Sequence, residues 1–532
     1  MTSYFMRLSF RKQLPLILAV TLVALPLSAR QDMHDTVSGS QTGHSLVYRF
    51  ESVGALAKGS YAPFWHISNR QGLSSFNPES GYMRFAALGS MSKSDVSSIG
   101  YGADLGVGAG MQNNLILQQL YVDFNYKWLG LFMGMKERWG ELKNPALSSG
   151  GLTWSGNSRP VPQVRLGLPD YVRLHILGDW FSVKTHIAYG RLTDDKWRRD
   201  RASQAETAFL KGRYTDRLLY HSKDMFLRFG NPDRMPFQAT IGLEMYCIFG
   251  GTMHNRPLEH EVVLDEYKLP SGPDAYLTAF LPVNSVGNQG KENGNTLGSW
   301  HLSFDYLGND WGVRAYYEHF FEDHSSMLGV DYKSDLDGNM AFVFYGFRRN
   351  WFDGLFGLEV NLPERLPVRN IVFEVLNTRG QCGPICMEPV FPIEEHVDGR
   401  DDIYNQELYD SYSMGGYLMG NPVLISSFYN KDCSQRLRSN RALMYHFGID
   451  GSLGSRWDYR ALVTTTSHWG TYYVPFDEVQ RVTSCLLEGS YRIGDEYGWK
   501  VGLSLGLDLN DGDLTGNNTG VMLTISKSWR IL

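Results

Sequence analysis

Cysteine is scarce in this chain: five residues in 532. That excludes a disulfide-built framework, which crowds its bridges into a short exported chain. Cys382-Gly-Pro-Ile-Cys386 has one residue too many for a thioredoxin-type motif and lacks a βαβ setting, so a local disulfide or two inert thiols is expected there. An excess of one charge is also missing. The net charge of −6 argues against a nucleic-acid partner. Beyond the N-terminus there is no run of about 18 apolar residues, which excludes a spanning helix. Mean hydropathy of −0.28 with 20% charged residues resembles a water-soluble chain. A membrane barrel gives the same averages, because half of each strand is polar. There is no His-Glu-x-x-His, no Gly-x-Ser-x-Gly and no P-loop. Carboxylates are numerous enough to supply a glycosidase pair, which keeps a surface glycan-modifying enzyme as an alternative. The main expectation is a chain that is not an enzyme and uses no cofactor and no metal. The acidic group Glu394, Glu395, Asp398, Asp401 and Asp402 does not have EF-hand spacing and reads as a solvated loop.

What is present begins with a secretory signal over residues 1–29. Arg7, Arg11 and Lys12 precede an apolar stretch from Leu14 to Leu27, and Ser28-Ala29 supply small residues for cleavage. Residues 30–532 form the second unit, and their dominant feature is strict alternation. Trp499, Val501, Leu503, Leu505, Leu507 and Leu509 alternate with Lys500, Gly502, Ser504, Gly506 and Asp508. Successive side chains on a strand face opposite ways, so this strand has one apolar and one small or polar face. Val521, Leu523, Ile525, Trp529 and Ile531 repeat the pattern; Lys527 breaks it and marks either a bulge or an interfacial position. Further alternating segments start near Tyr101, Leu120, Phe181, Phe237, Trp300, Trp311, Leu443 and Trp457, with charges almost always on the minor face. Strands that are apolar outside and polar inside predict an all-β fold: a single antiparallel transmembrane β-barrel in the outer membrane, with lipid around it. Gly 56 and 13% aromatics suit such a wall.

At about 25–30 residues per strand and connection, the mature length allows on the order of 16–20 strands. Residues 141–170, 200–222 and 380–422 are not strand-like; the middle one has helical character. Such long segments are either functional loops or fold into the lumen. Counting back from Leu532 with both termini periplasmic makes 494–498 and 450–455 tight periplasmic turns. It makes 510–520, 468–480 and 426–440 longer extracellular loops. His446, Asp458, Arg460, Glu488, Arg492, Lys500, Asp508 and Arg530 then face the lumen, where ion pairing that fixes strands and plug is sufficient reason for them.

The segments between strands carry a resemblance. Asn144-Pro-Ala-Leu-Ser-Ser-Gly-Gly-Leu-Thr-Trp-Ser-Gly-Asn-Ser-Arg-Pro160, Pro162-Gln-Val-Arg165 and Pro169-Asp-Tyr-Val172 resemble capsule assembly proteins of the Wzi type. So do Tyr316-Tyr-Glu-His-Phe-Phe-Glu-Asp323, Gly420-Asn-Pro422, Tyr459-Arg460 and Trp469-Gly-Thr-Tyr472. The resemblance implies an outer-membrane barrel of eighteen strands with an occluded lumen. It implies a lectin-like role, binding and retaining capsular or other surface polysaccharide. A porin-type channel is the competing reading. The expected partners are that polysaccharide, outer-membrane lipid and the barrel assembly machinery. For sugar contact the sequence offers Trp469, Tyr472 and Tyr473, with Arg436 and Arg438 in the neighbouring loop. Rings stack on the C–H faces of sugars, and cations suit an acidic polymer. The same aromatics fit the outer girdle at the membrane interface equally well.

Overall fold

The computed structural model describes residues 43–531 except 95, 176–177, 259–261, 282–293, 323–326, 328–329, 335–339, 345–351, 382–401 and 495–496. The signal segment, Cys382, Cys386 and the acidic residues 394–401 lie outside the described residues.

Eighteen strands form one closed antiparallel sheet, each paired with its neighbours in sequence. They are β1 Gly43–Lys58, β2 Glu79–Ser94, β3 Ser97–Ala109, β4 Leu115–Tyr126, β5 Leu129–Met135 and β6 Gln163–Leu174. Next come β7 Phe181–Arg191, β8 Leu219–Phe229, β9 Phe237–Phe249, β10 Asn295–Leu307, β11 Gly312–Phe321 and β12 Gly354–Asn361. The last six are β13 Val368–Asn377, β14 Ala442–Leu453, β15 Trp457–Gly470, β16 Pro475–Ile493, β17 Trp499–Asn510 and β18 Asn518–Arg530. Pairing of β1 with β18, from Val47 opposite Arg530 to Lys58 opposite Thr519, closes the ring and leaves no free edge. No helix among the described residues could cross a bilayer; this chain crosses with strands.

The alternation read from the sequence is the alternation of the wall. In β17, Leu503, Leu505, Leu507 and Leu509 are exposed outward while Ser504, Gly506 and Asp508 are buried inward. The outward belt is exposed to lipid, and with its closed ring this places the protein in the outer membrane. Lys527 sits in an unbroken register with β1 and β17, so no bulge occurs there. Its ammonium lies 4.9 Å from the Trp499 ring and 5.4 Å from the Trp529 ring. This is the interfacial alternative. A lysine there costs about 0–1 kcal/mol against about 2–4 at the bilayer midplane.

One end of the barrel has only short turns, such as 127–128, 308–311 and 454–456. The other end carries the long connections 136–162, 192–218, 250–294 and 378–441. By the usual asymmetry the first end is periplasmic and the second extracellular. Two expectations need correction. The 468–480 connection is not a long loop: β15 runs to Gly470 and β16 starts at Pro475, closed by Thr471 N–H donating to the Val474 carbonyl at 3.1 Å. The strands run on almost to the turn, with a register shift near its base between His468 and Gly470. The 426–440 segment is not an outside loop. It folds into the barrel, and Ser427, Leu437, Ser439 and Asn440 are buried; its tip, Lys431 and Asp432, is exposed. The other boundaries shift for the same reason: 163–170 is strand β6, 219–222 belongs to β8, and the helix predicted in 200–222 spans Asp195–Gln204.

The lumen is filled. Loop 59–78, with the single turn α1 (Phe64–Ile67), and segments 136–162 and 402–440 pack inside the wall. Its extracellular half is apolar: Leu152, Trp154, Tyr404, Tyr409, Leu418 and Met419 meet the wall residues Tyr246, Ile248, Leu297, Tyr316, Leu376 and Met444. Gly415 and Gly416, with φ of 63° and 80°, make the hairpin turn between Ser413-Met414 and Tyr417-Leu418. Three glutamates of adjacent strands hold this plug. Glu318 of β11 accepts from Leu152 N–H at 2.8 Å, Thr153 N–H at 3.2 Å and the Lys143 ammonium at 2.5 Å. Glu374 of β13 accepts from Ser149 N–H at 2.7 Å, the Ser148 hydroxyl at 2.6 Å and the Tyr316 hydroxyl at 2.5 Å. Glu359 of β12 accepts from the Asn144 amide at 3.0 Å. The expected charge pairing is also there: Arg460 with Glu488 at 2.5 Å and Lys500 with Asp458 at 2.7 Å.

Removing Glu374 strands three buried donors. Glu374→Ala should lower unfolding stability by about 3 kcal/mol, read from urea titration of the folded barrel in vesicles. A second prediction concerns acid. His66 is buried in loop 59–78, and burial, reinforced by the Arg70 guanidinium, pushes it down to about 3. The unfolded chain then binds one more proton than the folded one between about pH 6.5 and 3. Stability should therefore fall as pH drops below 6.5, by at most about 1.4 kcal/mol per pH unit from this group. Urea midpoints at pH 7 and pH 5 should differ less in His66→Gln than in the parent.

Candidate functional site

The extracellular end holds every sequence-nominated sugar contact, in different settings. Trp469 shares the outward phase of Val463, Thr465 and Ser467 in β15, so it belongs to the wall at the rim. The Arg379 guanidinium lies 5.2 Å from its ring centre. This is where a girdle aromatic sits. Tyr472 and Tyr473 occupy the tight turn above it, with rings 5.1 Å apart and edge to face; Tyr473 is 60% exposed. Arg438 turns toward the β17–β18 loop, where its guanidinium donates to the Asp513 carboxylate at 2.6 Å and to the Asp513 and Leu514 carbonyls. The Lys431 ammonium meets the same carboxylate at 2.7 Å. Together Lys431 and Arg438 hold Asp513 below the ordinary carboxylate range. Arg436 is half-buried in the same segment. The two tyrosines therefore form one group beside Trp469, and Lys431 and Arg438 form a second group centred on Asp513.

The 192–218 connection supplies rings and cations that the sequence reading passed over. Its helix α2 (Asp195–Gln204) is bolted down by buried arginines. Arg198 pairs with Asp194 at 2.9 Å and donates to the Tyr409 and Ser413 carbonyls. Arg201 donates to the Ser427 and Phe428 carbonyls at 3.0 and 3.2 Å. Beyond the helix the chain is open to solvent. Phe209 is 69% exposed, with the Arg213 guanidinium 4.3 Å from its ring centre. Tyr214 stacks on His254 at 4.4 Å and 16°, and His254 lies 3.2 Å from Asp216. A flat ring face bordered by charge is the surface a sugar contacts. The signal was available as Phe209-Leu-Lys-Gly-Arg213-Tyr214, but its charges read as helix.

Glu244, His301 and Glu318 are the group among the described residues whose donor atoms, all within 4.8 Å of one another, could hold a metal ion. His301 lies 3.4 Å from Glu244 and 3.8 Å from Glu318. Glu318 already binds the Lys143 ammonium and two plug N–H groups, so a cation would have to compete with the plug for it. The buried wall carboxylates are similarly committed to holding the chain. Asp402, the described member of the acidic group, is buried and accepts from the Asn440 amide at 2.7 Å instead of sitting in a solvated loop; burial raises it above the ordinary carboxylate range.

No family model and no curated protein sequence matches this chain. Among solved structures it is similar to Escherichia coli Wzi, an outer membrane protein involved in group 1 capsule assembly and a carbohydrate-binding β-barrel. That match has a TM-score of 0.53 and 11% identity over 90% of this chain and 83% of the other. OprD of Pseudomonas aeruginosa aligns over 93% of this chain and 98% of its own, at TM-score 0.43 and 8% identity. The likeness to Wzi establishes a shared eighteen-strand barrel fold.

Arg198 should be structural and Arg199 should not. Arg198→Ala leaves Asp194 and two carbonyls buried without their donor and should cost about 3 kcal/mol. Arg199→Ala, at the exposed surface, should stay within about 0.5 kcal/mol. Urea unfolding of both variants checks this.

Proposed function

We propose that this chain is a non-conducting outer-membrane barrel that binds surface polysaccharide, capsular or other, at its extracellular mouth and retains it on the cell. The observation that carries this reading is the filled lumen: loop 59–78 and segments 136–162 and 402–440 occupy the space a porin needs open. The same fold serves carbohydrate binding in Wzi. Binding a polymer needs only a surface, and this mouth presents exposed rings at Tyr473 and Phe209, half-buried Tyr472, and the Arg213 guanidinium against Phe209. Trp469, Arg436 and Arg438 extend that surface. Single stacking and charge contacts are weak, so retention comes from many polymer repeats engaging many barrels. The chain binds and does not turn over its polymer. Outer-membrane lipid and the barrel assembly machinery are its other partners.

Deleting the gene should leave polymer synthesis intact and move polymer from cells to medium. Trp469→Ala/Tyr472→Ala/Tyr473→Ala should do the same at unchanged folded protein level if those rings touch sugar. A drop in folded barrel instead would make them girdle residues. Asp513→Asn frees Lys431 and Arg438, and should tighten binding to an acidic polysaccharide severalfold at low salt and little at high salt. Normal retention in the deletion strain, or large steady channels from the purified protein in planar bilayers, would overturn the reading. Release of reducing ends from the polymer would replace it with a hydrolase.

A further inference from the structure

Helix α3 (Pro273–Phe280) lies outside the barrel. On β7, β8 and β9 the outward side chains form rows across the wall: Tyr189 opposite His221 and His221 opposite Cys247, then Ile187, Lys223 and Met245 one row below. Toward the periplasm the next outward row holds Met225, 50% exposed, opposite Leu243, and the row below it holds Ile241, 50% exposed, opposite Leu227; these belong to the lipid-facing belt. Yet Cys247 and Phe249 are buried at 2% and 0%, because Ala275 and Ala279 of α3 pack on them from outside. The Tyr189 hydroxyl donates to the Tyr276 carbonyl at 2.9 Å. The Lys223 ammonium donates to the Phe280 carbonyl and lies 4.6 Å from the Phe280 ring. The His221 ring meets the Phe280 ring edge at 5.8 Å.

The helix therefore covers two polar side chains that the strand phase aims at the membrane. Its far side presents Leu277 and Leu281, 59% and 46% exposed, with the exposed Asp274 confined to the first turn; Tyr276, 37% exposed, packs edge-on against Phe249. An alanine face on the wall and a leucine face away from it suit a helix with lipid on its far side. We propose that α3 is an external membrane-surface element, seated at the headgroup–acyl boundary of the outer leaflet, which continues the lipid-facing belt upward over His221 and Lys223. The occupant of its outer face is bilayer lipid. Continuity argues for this choice: Phe280, the neighbour of exposed Leu281, caps Lys223, and the outward row next below Lys223 holds Met225, which belongs to the lipid-facing belt.

The test uses the full-length protein reconstituted in phosphatidylcholine vesicles, with Cys382, Cys386, Cys433 and Cys485 changed to Ser and buried Cys247 kept. A nitroxide is placed through Leu277→Cys, and separately through Leu281→Cys in case one variant folds poorly. Controls are Met225→Cys in the belt and Phe209→Cys in the extracellular loop. Relaxation by oxygen and by a water-soluble nickel chelate reads the surroundings. The expected result is oxygen exposure near that of position 225 and at least threefold less nickel exposure than at position 209. Nickel exposure equal to position 209 would put the helix in water and overturn the proposal. Spin–spin broadening with protection from both agents would also overturn it, showing that a second copy covers the face.

Discussion

The structure depends on buried carboxylates that the wall carrying them satisfies only in part. Glu318 and Glu374 are fully buried on the inner face, and an isolated carboxylate there would be prohibitively costly to desolvate. The wall supplies one hydroxyl to each, Ser299 to Glu318 and Tyr316 to Glu374. The remaining donors, the Lys143 ammonium, the Ser148 hydroxyl and the N–H groups of Ser149, Leu152 and Thr153, come from the 143–153 segment. Charge-assisted bonds of this kind are stronger than neutral ones and geometrically specific. The wall therefore requires its plug, and the plug's turn at Ser148–Thr153, which has few backbone bonds of its own, requires the wall. Glu359 and Arg460, which donates to the Ala146 carbonyl at 2.8 Å, extend the seam downward.

That seam also explains what the sequence motifs meant. The segment 144–160, Tyr316–Glu318, Gly420-Asn-Pro422 and Arg460 look unrelated along the chain, but they converge inside the barrel. The Asn421 amide donates to the Gly150 carbonyl at 2.7 Å, and Ser155 N–H to the Met419 carbonyl at 2.8 Å. A side chain at Gly420 would collide with the Tyr404 hydroxyl and the Leu152 carbonyl at 2.1 and 2.2 Å. These motifs carry plug docking. They inform on architecture rather than on any ligand.

Strand phase was legible where lipid imposes a period of two on outward residues, but 163–170 and 219–222, which lie in strands, read as parts of loop or helix. Where a second element covers the wall, that rule lapses, and the lapse was itself readable. Met245-Tyr-Cys-Ile-Phe249 is apolar on both phases because Tyr246 and Ile248 meet the plug while Cys247 and Phe249 meet α3. The site was less legible. Whether an aromatic in the 469–473 stretch faces lipid or water turns on where the strand ends: Trp469 is still in β15, while Tyr473 lies in the turn beyond Gly470. Whether a cation is free depends on a partner far along the chain: Arg438 and Asp513 are brought together only by the folded loops.

The plug is laid down early, between β5 and β6, whereas the glutamates that seize it lie on β11, β12 and β13. Glu318 follows Leu152 by 166 residues, and Glu374 follows Ser149 by 225. Assembly is thus retrograde: the filling waits for its container, and ring closure of β1 onto β18 comes at the greatest possible sequence separation. Contacts so distant make for slow folding and a long interval in which the 402–440 aromatics lack cover. Because the filling is stitched into the chain at both of its ends, it cannot leave as a cork would; a lumen that empties must first let its wall come apart.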